Sequence, residues 1–164
     1  MCGHVGIAGD LEHKDEATFK RLLLLDYFRG PDSTGVAVFN KARTETKVAK
    51  IASHPLDLFD TIKYRTSVTG SMSSVFLGHN RAATRGKVST VNAHPFECGH
   101  IIGAHNGTLD HTSFAALEKS LGEQFDVDSE AIFKHIEKFG IEATVPLMQG
   151  AWALVWIDTS DGTI

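Results

Sequence analysis

The residues best placed to do chemistry lie at the start, in Met1-Cys2-Gly3-His4-Val5-Gly6-Ile7-Ala8-Gly9-Asp10. Removal of Met1 would leave Cys2 as the N-terminal residue, carrying a thiol and a free α-amine within contact of each other. A thiol attacks as thiolate and has a reference pKa of about 8.5, whereas an α-amine titrates near about 7.7–8.0 and accepts a proton at neutral pH. Nucleophile and base then reside in one residue. Cys2 is small, and small second residues are those from which an initiator Met is readily removed. The alternative is a cysteine in a frayed terminus.

Four further stretches carry polar groups in patterned surroundings. Arg29-Gly30-Pro31-Asp32-Ser33-Thr34-Gly35 is a helix-to-strand connection that can also set Arg29 beside a thiolate as a fixed positive charge. His79-Asn80-Arg81-Ala82-Ala83-Thr84-Arg85-Gly86 delivers Arg81 into a polar loop that runs on to Val91-Asn92-Ala93-His94-Pro95-Phe96. Long loops of this kind are more often binding loops than connectors. Arg81 can pair bidentately with a carboxylate, or Arg81 and Arg85 are solvated surface charges. In His105-Asn106-Gly107-Thr108, Asn-Gly is first a turn signal. The Asn106 amide with the Gly107 backbone N–H also makes a workable oxyanion hole. Asp126-Val127-Asp128-Ser129-Glu130 reads as an acidic helix start, and a carboxylate there can also face an ammonium group.

The elements that must hold these groups are read from apolar periodicity. Val5–Ala8 is a short strand that would hold Cys2 at its end. Lys14–Phe28 is a helix, with Leu22–Leu25 apolar enough to be packed on both sides, and Gly30-Pro31-Asp32 ends it. Val36–Phe39 and Thr46–Ile51 form a hairpin across the turn Lys41–Thr44. His54-Pro55 opens a helix through Ile62, and Gly70–Ser74 is a loop. Ser74–His79 is a strand before the loop Asn80–Pro95. Ile101–His105 is a strand running into Asn106-Gly107. Helices follow at His111–Leu121 and Ser129–Phe139, a shorter one at Ile141–Leu147, then a buried strand at Ala151–Ile157. Strands on both sides of a two-helix block predict stacked sheets with helices outside. Asp161-Gly162-Thr163-Ile164 resembles a turn and the opening of another strand, so a single domain over residues 1–164, shortened at its C-terminal end, is expected.

Composition narrows the function classes. A chain of 164 residues is one domain by the length prior. The longest apolar runs are too short to span a bilayer, and Asp10, Glu12 and Lys14 interrupt any signal-peptide pattern. With Cys2 and Cys98 alone, no disulfide framework is indicated, and a reducing cytoplasm is expected. A net charge of −4 without a Lys/Arg block argues against nucleic-acid binding.

Taken in order, these segments resemble class II glutamine amidotransferase domains, members of the N-terminal nucleophile hydrolases, on the pattern of the glutaminase domains of glucosamine-6-phosphate synthases. The matching pieces are Cys2-Gly3, Arg29-Gly30-x-Asp32-x-x-Gly35, His79-x-Arg81-x-Ala83-Thr84-x-Gly86, Asn92-Ala93-His94-Pro95, His105-Asn106-Gly107, Asp128-x-Glu130 and Gly150-Ala151-x-Ala153. The resemblance implies an α+β fold, a four-layer αββα sandwich of two antiparallel sheets. It implies Cys2 as nucleophile with its α-amine as base, and Asn106 and Gly107 as oxyanion hole. It places Arg29 beside Cys2 to order the site, Arg81 on the glutamine α-carboxylate and Asp128 on its α-ammonium. Thr84 and His94 belong to the same substrate-binding set, with no metal and no cofactor. The implied partners are L-glutamine and an ammonia-accepting synthase, as a separate chain or a downstream domain, with no nucleic acid and no membrane. Synthase-like members read His-Thr-Arg-Trp-Ala-Thr-His-Gly where this chain has Asn80, Ala82 and Arg85, and Ala82 removes a bulky wall. The alternatives are another acyl-amide hydrolase on the same fold, a zinc-binding domain using His94, Cys98, His100 and His105, and an inactive amidotransferase-like binding or regulatory domain.

Overall fold

The computed structural model describes residues 2–70 and 73–164. Met1, on whose removal the free amine of Cys2 depends, and part of the expected loop at Gly70–Ser74 lie outside the described residues. Among those described, the elements are β1 (Gly3–Ala8), α1 (His13–Asp26), β2 (Ser33–Asn40), β3 (Thr46–Ile51), α2 (Pro55–Asp60), α3 (Ile62–Ser67) and β4 (Ser73–Arg81) in the first half. The second half holds β5 (Phe96–Cys98), β6 (Ile101–Leu109), α4 (His111–Leu121), α5 (Asp128–Phe139), α6 (Ile141–Thr144) and β7 (Gly150–Asp158). Short 3-10 turns follow α1 and α6.

A four-stranded antiparallel sheet runs β1-β4-β2-β3, and a three-stranded one runs β5-β6-β7. The larger sheet buries Val5, Val36, Val38 and Phe76 against Phe19, Leu23, Leu58 and Tyr64 of α1–α3. Its other face sets Ala37, Phe39, Val75 and Leu77 against Ile102 and Ile157 of the smaller sheet. The smaller sheet packs Phe96, Ile101 and Leu109 under Phe114, Leu117, Ile132, Phe133 and Ile136 of α4 and α5. The order of layers is helices, sheet, sheet, helices, the αββα sandwich expected from the sequence.

Local chemistry sets the boundaries. The Asp110 carboxylate accepts the Ser113 N–H at 2.7 Å to start α4. Gly122, at φ 71°, ends that helix by donating to the Glu118 carbonyl. The helix expected from His54 through Ile62 is two, because Thr61 takes an extended conformation and its hydroxyl accepts the Tyr64 N–H.

Four further expectations are corrected. Leu22 and Leu25 of α1 are exposed, since only one stripe of that helix faces the sheet through Phe19 and Leu23. Phe96–Cys98, to which the sequence reading assigned no element, pairs with β6 as β5. Asn80 and Arg81 complete β4, and Asn106-Gly107 lies inside β6, paired with Ala153 and Trp152 rather than turning the chain. The run Ala151–Ile157 forms β7, but its first half is exposed. β7 pairs only with β6 among the described residues, so apolarity marked it as a strand without supplying a cover. No described helix is long and apolar enough to cross a membrane.

Candidate active site

Cys2 precedes β1 and meets the end of β4, because Gly3 pairs with Asn80. The Ala82 N–H donates to the Cys2 sulfur at 3.3 Å, and the thiol in turn contacts the Ala82 carbonyl at 3.4 Å. Burial pushes the Cys2 thiol up, against the opposing pull of the Ala82 backbone and the Arg81 charge. Behind Cys2, Arg29 Nε donates to the Cys2 carbonyl at 3.2 Å and lies 3.9 Å from Asp26. Arg29 therefore grips the backbone of Cys2 and lines neither of the cavities at its thiol.

One of these cavities is polar and small, about 10 Å³, the room of a single water. Cys2, Arg81, Thr84, His94, Gly107 and Asp128 all border it, so six expected site residues converge from the residue before β1, from β4, β6 and α5, and from the loop between β4 and β5. Arg81 is buried, and its guanidinium donates to the carbonyls of Lys87, at 3.1 Å, and Arg85. Asp128 occupies the first turn of α5 rather than its cap, and its carboxylate accepts from the Leu109 N–H at 2.9 Å and the Ser129 N–H at 3.0 Å. Two opposite charges are thus fixed by backbone on one small space. Burial lowers the Arg81 pKa, opposed by Cys2, Asp32 and Asp128, and a guanidinium stays charged throughout.

Asn106 lies one step over, in a second cavity that shares Cys2, Ala82, Thr84 and Gly107 with the first. Gly107 can only be glycine here. It sits at φ 153°, and a Cβ would stand 2.0 Å from the Ala151 carbonyl oxygen. The Thr84 and Thr108 hydroxyls pair at 3.0 Å across the mouth between the two spaces.

Histidines back the site. The His79 and His94 rings lie 4.1 Å apart, His4 and His79 5.1 Å, and His94 meets the edge of Phe96. His79 Nε2 donates to the His105 carbonyl, and His105 Nδ1 pairs with the Ser129 hydroxyl. Burial drives His79 and His94 well below the ordinary imidazole range and lowers His4 and His105, so the cluster is neutral. Of the zinc alternative's residues, His94 and His105 are here. Among the described residues, no group of three or more His, Cys, Asp and Glu side chains is placed to hold a metal.

Several residues with no role in the site on sequence grounds hold the loop. The Asp32 N–H donates to the Arg81 carbonyl at 2.9 Å, and the Asp32 carboxylate takes the Ala83 N–H at 2.7 Å. Lys50 of β3 reaches across to donate to the carbonyls of Val91, Ala93 and Pro95 at 3.2, 2.8 and 3.2 Å. Arg85 stacks 4.5 Å over Phe114 and borders the polar cavity. Asp32 carried a hint, a carboxylate between two glycines in a turn. Lys50 carried none, because a lysine in an alternating strand reads as solvated.

A family profile described as "Glutamine amidotransferases class-II" matches residues 29–153. Among curated proteins, glutamine–fructose-6-phosphate aminotransferase (isomerizing) of Geobacillus kaustophilus is 32% identical over 98% of this chain and 28% of its own length. The protein of that name from Sulfolobus acidocaldarius is 33% identical over 94% of this chain and 28% of its own. The chain thus spans less than a third of the length of these relatives. Among solved structures, the glutamine phosphoribosylpyrophosphate amidotransferase of B. subtilis, complexed with ADP and GMP, superposes with a TM-score of 0.72 at 19% identity, over 97% of this chain and 35% of that one. That likeness is one of fold, and the sequence matches supply the kinship: the chain belongs to the class II glutamine amidotransferases.

Proposed function

We propose that this chain hydrolyses the side-chain amide of L-glutamine through a Cys2 thioester, giving glutamate and ammonia, and that a synthase consumes the ammonia. The observation that carries this reading is the convergence of the Cys2 thiol with an oppositely charged, backbone-anchored pair, Arg81 and Asp128, on one cavity. An α-amino acid carries a carboxylate and an ammonium on one carbon, and a substrate lacking either would leave a buried charge unpaired.

With Met1 removed, the Cys2 α-amine takes the thiol proton and the sulfur attacks the side-chain carbonyl carbon. The Asn106 amide and the Gly107 N–H receive the charge that develops on oxygen. The C–N bond breaks, the amine returns its proton to the leaving ammonia, and water cleaves the thioester. Arg29 holds the Cys2 backbone through its carbonyl. Thr84 flanks the substrate through the pair with Thr108, and neutral His94 forms the floor without competing for the substrate's carboxylate. The ammonia acceptor sits on a separate chain or in a downstream domain, and the reaction belongs in the cytoplasm.

The test is intact mass before and after a diazoketone analogue of glutamine, followed by a glutaminase assay. Loss of Met1, one adduct on Cys2, and ammonia release that disappears in Cys2→Ala are the expected results. Ammonia release by Cys2→Ala at the native rate would overturn the mechanism.

A further inference from the structure

The Arg81 guanidinium is anchored on backbone that neither a helix nor a strand fixes. Its two acceptors, the carbonyls of Lys87, at 3.1 Å, and Arg85, lie in the irregular loop between β4 and β5. Lys87 is itself exposed. What holds its carbonyl is Asn92, whose Nδ2 donates to the same oxygen at 3.1 Å. A carbonyl oxygen has two lone pairs, and here one serves Arg81 and the other Asn92. Asn92 is 2% exposed and borders neither cavity at Cys2. It belongs to Asn92-Ala93-His94-Pro95, a piece of the resemblance in which the proposed mechanism uses only His94.

Asn92 is in turn held from several sides. Lys50 Nζ donates to the carbonyls on either side of it, Val91 at 3.2 Å and Ala93 at 2.8 Å, and to that of Pro95 at 3.2 Å. One ammonium thus gathers the carbonyls of alternate residues. The Asn92 N–H donates to the Ser89 hydroxyl at 3.3 Å. The His94 carbonyl lies against β2 at Gly35, where a Cβ would stand 1.9 Å from its oxygen. Gly86, at φ 73°, keeps the other side open. A Cβ there would lie 3.2 Å from Asn92 Nδ2 and 2.6 Å from Val127 Cγ1, so Asn92 sits where the loop meets the lead-in to α5.

We infer that Asn92 is a positioning residue for Arg81: through the shared Lys87 carbonyl it sets the direction of the guanidinium, with Lys50 holding Asn92 in place. The inference rests on the proposed reading of Arg81 as the partner of the substrate's α-carboxylate and adds the group that aims it. Charge alone does not need this device, because a guanidinium is charged wherever it stands. Bidentate pairing with a carboxylate does need it, since both N–H groups must face the oxygens together. Without the Asn92 amide the Lys87 carbonyl follows Arg81 instead of fixing it. The loss falls on binding, because Cys2 and Gly107 are held by the pairing of β1 with β4 and of β6 with β7.

The experiment places Asn92→Ala and Arg81→Lys, singly and together, in the processed protein. Steady-state glutamine hydrolysis is measured beside the rate of Cys2 labelling by two reagents. The diazoketone analogue of glutamine carries an α-carboxylate, and iodoacetamide carries none. Asn92→Ala should raise KM for glutamine about tenfold and leave kcat within about threefold. It should slow the diazoketone about tenfold and leave iodoacetamide within about twofold. In the Arg81→Lys background, which lacks the fork, the same substitution should change KM by less than about twofold. Asn92→Leu, of similar size and without a donor, repeats the series if Asn92→Ala does not fold. Equal slowing with both reagents overturns the inference, because Asn92 then supports the nucleophile rather than Arg81. So does an unchanged KM in Asn92→Ala, or a double variant whose KM is the product of the two single effects. Each of these leaves the glutaminase reading standing. A native KM in Arg81→Lys overturns the assignment of Arg81 to the α-carboxylate, and this inference with it.

Discussion

Lowering the pH should destabilise this protein through its buried histidines, and the size of the effect follows from their surroundings. His79 and His94 are held far below their ordinary range, first by burial and then by neighbouring histidines, His4 and His105 for the former and His79 and His105 for the latter, with Arg81 adding to both. In the unfolded chain each titrates at about 6.5. A folded-state pKa below the unfolded one means that the unfolded chain binds more protons in this window. Stability is therefore full above about pH 6.5 and falls as the pH drops. With both rings neutral in the folded state at pH 5.5, each costs about 1.4 kcal/mol relative to pH 7.5, and the pair about 3 kcal/mol. His4 and His105 shift in the same direction and add to this. The assay is urea unfolding at the two pH values. An m-value of about 2 kcal/mol/M turns 3 kcal/mol into a midpoint drop of about 1.5 M. His94→Phe should remove about half of the drop, since His94 packs by ring contacts with His79 and Phe96 and its ring nitrogens make no hydrogen bond among the described residues. Equal midpoints at the two pH values, or an unchanged drop in His94→Phe, would refute the argument.

Lys50→Met should cost about 2 kcal/mol or more in urea unfolding, because it strips three carbonyls of one charged donor, and should raise KM for glutamine more than it lowers kcat. Gly107→Ala should reduce kcat at least a hundredfold in steady-state assays, since a Cβ at φ 153° strikes the Ala151 carbonyl and displaces the N–H offered to the oxyanion. Asp128→Asn should raise KM about tenfold or more and also lower the melting temperature, because the single amide oxygen can accept from only one of the two backbone N–H groups that the carboxylate serves and the other then faces a donor. Burial pushes the Cys98 thiol up to about 12, so alkylation of the folded protein at pH 8 should modify Cys2 alone, with peptide mapping as the check.

The sequence made most of the site legible because its groups sit beside glycines and at strand ends, where short motifs mark backbone geometry. Cys2 and Arg81 stand at the ends of the paired strands β1 and β4, and Asp128 in the first turn of α5. What stayed hidden depends on contacts between segments distant in sequence. Lys50 reaches a loop 41–45 residues away, and nothing local in Thr46–Ile51 signals it. Asn106-Gly107 reads as a turn because Asn-Gly usually is one. Here the pairing of β6 with β7 holds it extended, and that pairing lies some 45 residues downstream. The exposed half of β7 is hidden for the same reason. Hydrophobicity reports what a strand tolerates and leaves open which element covers it.

Arg81, Ala82 and Ala83 each have a fixed partner elsewhere in the chain: Asp32 for the first and third, the Cys2 sulfur for the second. This has a consequence for how the chain can vary in length. One residue inserted within 81–83 would rotate the guanidinium, the thiol clamp and the loop anchor out of phase together, with no neighbouring slack to absorb the offset. The stretch from Gly86 to Val91 is largely exposed and is tied down chiefly at its ends, through Lys87 and Lys50. Insertions, reporter tags and grafted recognition loops therefore belong in that outer stretch, and a library that randomises length should leave residues 81–83 untouched.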